Sequence, residues 1–313
     1  MHNNMKSVRA FAPATVANVS CGFDVFGFAV EEPGDEVVLT LTENPGVVIK
    51  KIEGDAGRLP MGAEKNTAGV AVLAFLKAID SKQGVEIVLK KNLPLGSGMG
   101  SSAASAVAAL VGINHLLGEP FLKKDLLPFA MEAERIACGS AHADNVAPSL
   151  MGGFVLIRGY TPLDVVNIPT PENLFCTLVH PHLELNTHDS RQVLRLNITL
   201  KDAVVQWGNI AGLVAGLMKP DYGLISRSLK DVIVEPVRSM LIPGFDNIKQ
   251  KALESGALGS GISGSGPTIF ALSTSAETAQ SIGKVIAREF EKFRLNSEVF
   301  VSRINPLGAR VLD

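Results

Sequence analysis

Residues Leu93 to Ser105 read Leu-Pro-Leu-Gly-Ser-Gly-Met-Gly-Ser-Ser-Ala-Ala-Ser, a pattern suited to holding an anion. Gly96, Gly98 and Gly100 let the backbone take positive φ and come close to a ligand. The Ala-rich helix expected from Ser101 to Leu117 then aims its unpaired N–H groups and positive dipole end back at the loop. A short buried strand expected over Val85 to Leu89 leads into it. What the loop lacks narrows its kind. A P-loop carries Lys after its last glycine, and here Ser101-Ser102 follow Gly100. A dinucleotide turn needs glycine at position 101 and an acid at the end of a second strand. Position 101 is Ser, and the next acid, Glu119, follows the helix. The hydroxyls of Ser101 and Ser102 suit phosphate oxygens, although either serine would also cap the helix.

Two further clusters share this chemistry. Pro13 to Asp24 sets small polar groups in an apolar strand-and-turn context, where polar atoms are costly unless paired or bound to something; Asp24 as the cap of a simple turn is the plainer alternative. Gly259 to Thr268 reads Gly-Ser-Gly-Ile-Ser-Gly-Ser-Gly-Pro-Thr and leads into an apolar strand expected over Ile269 to Leu272. Its place between a helix and a strand suits a binding loop better than a linker.

These segments need a scaffold, and 313 residues with 46% hydrophobic content suffice for two domains with ample core. The net charge is −2 and the basic residues are scattered, so neither nucleic acid nor an anionic membrane is an expected partner. No apolar run approaches a bilayer span, and Met1 to Ala10 lacks the apolar stretch of a signal peptide, so a cytoplasmic protein is expected. Cys21, Cys138 and Cys176 are odd in number and without CxxC spacing, which suits buried thiols.

Strands are expected over Val8 to Ala12 and Glu36 to Leu41, with a Pro-Gly turn in Ala29 to Asp35 between them. A helix capped by Asn66 runs from Thr67 to about Ile79, and another covers Lys123 to about Ala137. Gly152-Gly153 opens a strand, Phe154 to Ile157. The linker Gly159 to Asn173, with its prolines, marks a domain boundary, dividing the chain into residues 1–165 and 166–313. Beyond it lie a strand over Phe175 to His180, helices over Leu200 to Leu217 and Leu224 to Val232, an amphipathic helix over Ala276 to Phe293, and a strand over Ser297 to Val301. The class is α+β. His180, His182 and His188 have the spacing of one strand face running into a loop rather than of a zinc site.

Taken together, Pro13 to Gly27, Pro94 to Ser105 and Gly261 to Leu272 resemble the three motifs of the GHMP kinase superfamily, in order and spacing. Gly139 to Pro148, Glu235-Pro236-Val237-Arg238 and Leu241-Ile242-Pro243-Gly244 are similar to segments of its homoserine-phosphorylating branch. The resemblance spans nearly the whole chain. It implies an N-terminal domain of the ribosomal-protein-S5 domain-2 type, a ferredoxin-like C-terminal domain, and a cleft between them for ATP, Mg2+ and L-homoserine. A homodimer is compatible with it.

Residue by residue, the resemblance implies a phosphate cradle of Pro94, Leu95, Gly96, Ser97, Gly98, Met99, Gly100, Ser101, Ser102, Ala103 and Ala104, with Asn66 and Thr187 also near ATP. It implies Glu134 and Ser102 as metal ligands. Glu132, the rival acid, is expected on another side of its helix. Arg191 and Arg238 are implied to hold the homoserine carboxylate, where bidentate guanidinium geometry is apt, with Asn18, Asp24 and His142 completing that pocket. The position at which mevalonate and galactose kinases carry a catalytic Asp is Asn145, which has no basic atom. Direct transfer is therefore implied, with Asn145 orienting the acceptor hydroxyl and Arg191 assisting; Asp144 is the alternative base.

Overall fold

The structure, a computed structural model, describes residues 6–139, 141–185 and 187–312, without the side chains of 137–138 and 187–189. In chain order the first half contains β1 (Ser7–Ala17), β2 (Phe26–Thr42), β3 (Val47–Glu53), α1 (Thr67–Ala78), β4 (Gly84–Lys90), α2 (Ser101–Leu116), α3 (Leu127–Cys138), α4 (Ala143–Met151), β5 (Phe154–Tyr160) and β6 (Leu163–Ile168). The second half contains β7 (Phe175–Pro181), α5 (Thr187–Gln192), α6 (Leu200–Met218), α7 (Tyr222–Ser228), α8 (Glu235–Arg238), α9 (Phe245–Glu254), β8 (Gly259–Ile262), β9 (Ile269–Ser273), α10 (Ala276–Glu291), β10 (Ser297–Arg303) and β11 (Arg310–Val311). The α+β reading holds.

The first sheet has the order β11-β1-β2-β4-β3, with β5 on β2 and β6 on β5; only the β3–β4 pair is parallel. The expected Pro-Gly turn at Ala29 to Asp35 is instead part of β2. The ladder with β1 runs from Ser7–Thr40 to Pro13–Gly34 and resumes at Thr15–Ala29, so Pro33 falls inside a register shift where no ladder donor is required. β2 thereby carries β4 along its later residues and β5 along its first.

Helix α2 is buried on most of its surface, its Ala residues allowing the sheet and α1, α3 and α4 to close around it. α4, which contains Pro148, was not among the expected helices. The helix expected over Leu224 to Val232 ends at Ser228, because the Asp231 carboxylate accepts from the backbone N–H groups of Ile233, Val234 and Glu235 and starts α8 instead.

The second sheet is antiparallel, in the order β10-β7-β9-β8, a ferredoxin-like arrangement with first and last strands adjacent. The amphipathic α10 buries Ile282, Ile286 and Phe290 against it. Phe270 of β9 meets Phe28 of β2 at 6.2 Å, and Phe28 meets Phe154 at 4.8 Å, so one aromatic cluster joins the two sheets. The division expected after residue 165 falls inside β6, whose pairing with β5 extends to Ile168. The change of sheet comes between Ile168 and Phe175, and β11 returns the C-terminal residues to β1. No described helix is long and apolar enough to cross a membrane.

Candidate active site

A cavity of about 470 Å³ lies where the glycine-rich loop meets the first turn of α4, α5 and α8, a size that suits a small-molecule site. Gly96, Gly98 and Gly100 have φ of 65°, 79° and 69°, as the left-handed reading of the loop requires. Gly100, not a serine, is the N-cap of α2 and offers no side-chain acceptor, so the first N–H groups of the helix remain available to a ligand. Ser101 Oγ donates to the Leu93 carbonyl (3.3 Å); both Ser101 and Ser102 line the cavity, with Leu95, Gly96, Ser97, Gly98 and Gly100. Pro94 does not line it, and Met99, Ala103 and Ala104 turn wholly into the core. Asn66 lines the cavity while capping α1, its Oδ1 accepting from Ala68 N and its Nδ2 donating to the Pro60 carbonyl. The Thr187 side chain lies outside the described residues.

Behind the loop stands a buried ion pair that sequence reasoning missed. The Lys91 ammonium donates to the Asp35 carboxylate, to the Ser101 carbonyl (2.7 Å) and to Ser105 Oγ (2.8 Å), and Lys91 also lines the cavity. Asp35 in turn accepts from the N–H groups of Asn92 and Leu93. The network ties β2, the end of β4 and the start of α2 together. Burial pulls the Lys91 ammonium below the ordinary lysine value, against the attraction of Asp35 and, at longer range, of Glu134. A lysine just past the end of an alternating strand gives no local signal of such a role.

The third glycine-rich segment buttresses the first: Ser263 Oγ donates to the Gly98 carbonyl (2.8 Å), and the Thr268 N–H donates to the Ser97 carbonyl (3.2 Å). A Cβ on Gly98 would sit 2.8 Å from the Gly266 carbonyl oxygen. Thr15, also missed, is the link on the other side. Its N–H donates to the Met99 carbonyl, and its hydroxyl donates to Asn145 Oδ1 at 2.7 Å. With Oδ1 engaged, Asn145 is left to meet a ligand through its NH2 donors.

Glu134 of α3 is 5% exposed and lines the cavity, whereas Glu132 is half-buried, does not line it, and grips Arg135 at 2.6 and 2.9 Å. Asp144 also lines the cavity; burial first, then the charges of Asp24 and Glu134, push its carboxyl up to about 7. Glu134 and Ser102 both line the cavity and offer it hard oxygens, and no group of three or more His, Cys, Asp or Glu that could hold a metal occurs among the described residues. Such oxygens suit Mg2+, which binds through one or two carboxylates and completes its shell with water and phosphate oxygens.

At the other end lies a cluster of opposite charges. Arg191 grips Asp24 with both terminal nitrogens (3.0 and 2.9 Å). Arg238, 3% exposed, donates from Nε to the Ser190 carbonyl (3.1 Å) and from Nη1 to the Gly264 carbonyl (3.0 Å). Both guanidiniums stand over the Phe23 ring, at 5.4 and 5.2 Å from its centroid. Burial and the neighbouring Arg191 lower Arg238 to about 10, leaving it cationic at neutral pH. His142 Nδ1 lies 3.7 Å from Asp24; its Nε2 is buried without a hydrogen-bond partner, and burial holds the ring toward its neutral form. Tyr160, not anticipated, fixes the pocket by donating to the Asp24 carbonyl (2.8 Å) and accepting from Ala143 N–H.

Asn18 lines the cavity but is spent on scaffolding. Its Nδ2 donates to the Gly264 carbonyl (2.8 Å), and its Oδ1 accepts from the Asp24 N–H (3.0 Å). Of the residues named from sequence, Asn18, Asp24, Asn66, Glu134, His142, Asn145, Arg191 and Arg238 therefore meet around one cavity with the glycine loop.

Comparison with known proteins places this arrangement. The GHMP kinases N-terminal domain family matches residues 66–153, and the GHMP kinases C-terminal family matches residues 213–292. The homoserine kinases of Chlorobium phaeovibrioides and Chlorobium phaeobacteroides are each 56% identical, over 98% of this chain and 100% of theirs. A crystal structure of homoserine kinase from Cytophaga hutchinsonii superimposes with a TM-score of 0.97 at 58% identity, covering 100% of this chain and 99% of that one. An anion cradle joined through one cavity to a cluster of paired charges, on a chain similar to these proteins along its full length, leaves one assignment: the chain belongs to the homoserine kinases of the GHMP kinase family.

Proposed function

We propose that the cavity transfers the γ-phosphoryl group of ATP to the side-chain hydroxyl of L-homoserine, giving O-phospho-L-homoserine and ADP for threonine biosynthesis, by direct in-line attack without a carboxylate base. The observation that carries the reading is the Arg191–Asp24–Arg238 cluster opening onto the same cavity as the glycine loop. Homoserine is a zwitterion with a hydroxyl at its far end. Arg238, with Arg191, presents donors to its carboxylate, and Asp24 offers an oxygen to its ammonium. Binding requires Arg191 to share its grip on Asp24 with the ligand, an exchange between charged partners in place.

The glycine loop and the N-terminus of α2 hold the phosphates. Glu134 and Ser102 would hold Mg2+, which supplies charge neutralisation when bound. Asn145, its Oδ1 committed to Thr15, donates to the acceptor oxygen or to the transferring phosphoryl group and orients the attack. A loose transition state asks little activation of the nucleophile, so the hydroxyl proton leaves to phosphate or water. A second reading has a specific observation behind it: Asp144 lines the cavity with its carboxyl near 7, a value suited to a general base. An ADP-release assay over homoserine, homoserine lactone, serine, threonine and mevalonate tests the assignment. Homoserine is expected to give the highest kcat/KM; preference for mevalonate, or ADP release independent of acceptor, would refute it.

A further inference from the structure

Beside Arg238, two buried oxygens lie near each other without partners. Ser20 is 4% exposed and its Oγ makes no hydrogen bond; Glu235 Oε2 makes none either, although its Oε1 is paired with Lys249. The two lie close together. A Cβ built on Gly261 would stand 2.6 Å from Ser20 Oγ and 2.9 Å from Glu235 Oε2, so the oxygens are near enough for one small molecule to bridge. Between them is a cavity of about 10 Å³, lined also by Asp231, Arg238 and Ile262. That is room for a single water and no more, in a setting that offers the several polar partners a buried water needs.

Backbone strain points the same way. Asn18, Val19 and Ser20 have φ of 70°, 42° and 59°, a left-handed turn built from three residues other than glycine. Such conformations are costly for residues with a side chain and persist only where their surroundings over-determine them. The bonds of Asn18 to Gly264 and to the Asp24 N–H fix one end of the turn. The Gly22 N–H closes the turn onto the Asn18 carbonyl (2.7 Å) and Gln206 Nε2 donates to the Cys21 carbonyl (3.0 Å), while the Ser20 hydroxyl makes no hydrogen bond to the protein.

We propose that the niche is a built water site, in which one water bridges Ser20 Oγ and Glu235 Oε2 and locks the Asn18–Ser20 turn to α8. Ser20 and Glu235 are thereby positioning residues for the amino-acid pocket. The turn leads to Asp24, and α8 ends in Arg238, so the bridge fixes the spacing of two groups that hold the zwitterion. This rests on the homoserine reading for its kinetic consequence but not for the water. Glu235 lies with its carboxyl raised above the ordinary value, chiefly by burial, as suits an oxygen that lacks bulk solvent and needs a donor.

A high-resolution crystal structure of the full chain decides the water directly. One ordered water is expected within hydrogen-bond distance of both Ser20 Oγ and Glu235 Oε2. An empty niche, or a direct Ser20–Glu235 hydrogen bond, overturns the site whether or not the protein phosphorylates homoserine. Kinetics decide the positioning role. Ser20→Ala removes one neutral hydrogen bond, worth about 1 kcal/mol, and should raise the homoserine KM about fivefold, with the ATP KM and kcat within twofold. Glu235→Leu should exceed that loss. Glu235→Gln should restore near-parental KM, because its oxygen can stay on Lys249 while its NH2 meets the water. An unmoved homoserine KM in Ser20→Ala, a parallel rise in the ATP KM, or failure of Glu235→Gln to rescue would overturn the positioning role; if Glu235→Leu does not fold, the other two variants still decide. A parent enzyme inactive on homoserine would refute the functional reading instead, and leave the water to the crystal.

Discussion

Replacing Arg238 with Ala removes a buried guanidinium from the proposed amino-acid pocket. The side chain has five N–H donors. One on Nε and one on Nη1 are committed to the Ser190 and Gly264 carbonyls, which leaves three for a ligand carboxylate. Truncation strands that carboxylate in a desolvated pocket, at about 2–5 kcal/mol for a close charge pair. At about 1.4 kcal/mol per decade the loss in kcat/KM for homoserine is about 30- to 3,000-fold. Most of it should appear in the homoserine KM, because the ligand carboxylate is remote from the reacting hydroxyl. The ATP KM should stay within a few-fold, since Arg238 does not touch the glycine loop's donors. The assay is ADP release at saturating ATP, run in parallel with an amino alcohol that lacks the carboxylate, which the variant should use about as well as the parent does. Arg238→Lys should recover only part, because an ammonium has three donors and cannot span both carbonyls and the ligand. If Arg238→Ala discriminates homoserine from the amino alcohol as well as the parent, the carboxylate assignment is wrong.

Three further outcomes follow from the geometry. Glu134→Gln should lower kcat far more than it raises the homoserine KM, while Glu132→Gln, which only frees Arg135 on the surface, should stay near parental; the reverse order at saturating Mg2+ would mean the metal ligand is misassigned. Lys91→Met leaves the buried Asp35 carboxylate without its counter-charge, with only the Asn92 and Leu93 N–H groups and the Ser105 hydroxyl as donors, so urea unfolding should show about 3–5 kcal/mol lost, with the double variant Lys91→Met, Asp35→Leu recovering part of it; a loss under about 1 kcal/mol would contradict a buried pair. Asp144 carries its carboxyl at about 7 in the fold against an ordinary 3.8, so between those values the folded state holds a proton the unfolded chain has released, and its contribution destabilises progressively as pH rises. Asp144→Asn should therefore gain in thermal midpoint over the parent from pH 5 to pH 8 while keeping kcat within about tenfold. A kcat loss beyond about a thousandfold in the folded variant would make Asp144 the base.

The glycine loop was legible because only glycine takes its three positive-φ positions cheaply and because Ser in place of Lys excludes a P-loop. Helix α1 was legible from its Asn66 cap, α2 from its run of Ala although Gly100 rather than a serine caps it, and α10 from its amphipathic pattern. β2 was not: Pro33-Gly34 reads locally as a turn, and only the ladder with β1, a tertiary partner, keeps the chain extended there. Long-range pairing hid much of the site's working state in the same way. Arg191 meets Asp24 across 167 residues, and Lys91 is buried only because Asp35 on a neighbouring strand receives it. Thr15 was marked only as one small polar group among those of Pro13 to Asp24, and Tyr160 not at all, since their value lies in the single oxygen each offers to a segment elsewhere in the chain.

The most direct test of the account is the identity of the bond formed. Phosphorus–proton correlation NMR of the product from ATP and L-homoserine should show the new phosphorus coupled to the methylene protons next to the side-chain oxygen, with one ADP per phosphorylated amino acid. A product trapped by hydroxylamine, which marks an acyl phosphate on the carboxylate, or ADP formed without a phosphorylated amino acid, would contradict a pocket that holds the carboxylate away from the phosphates and presents the hydroxyl to them.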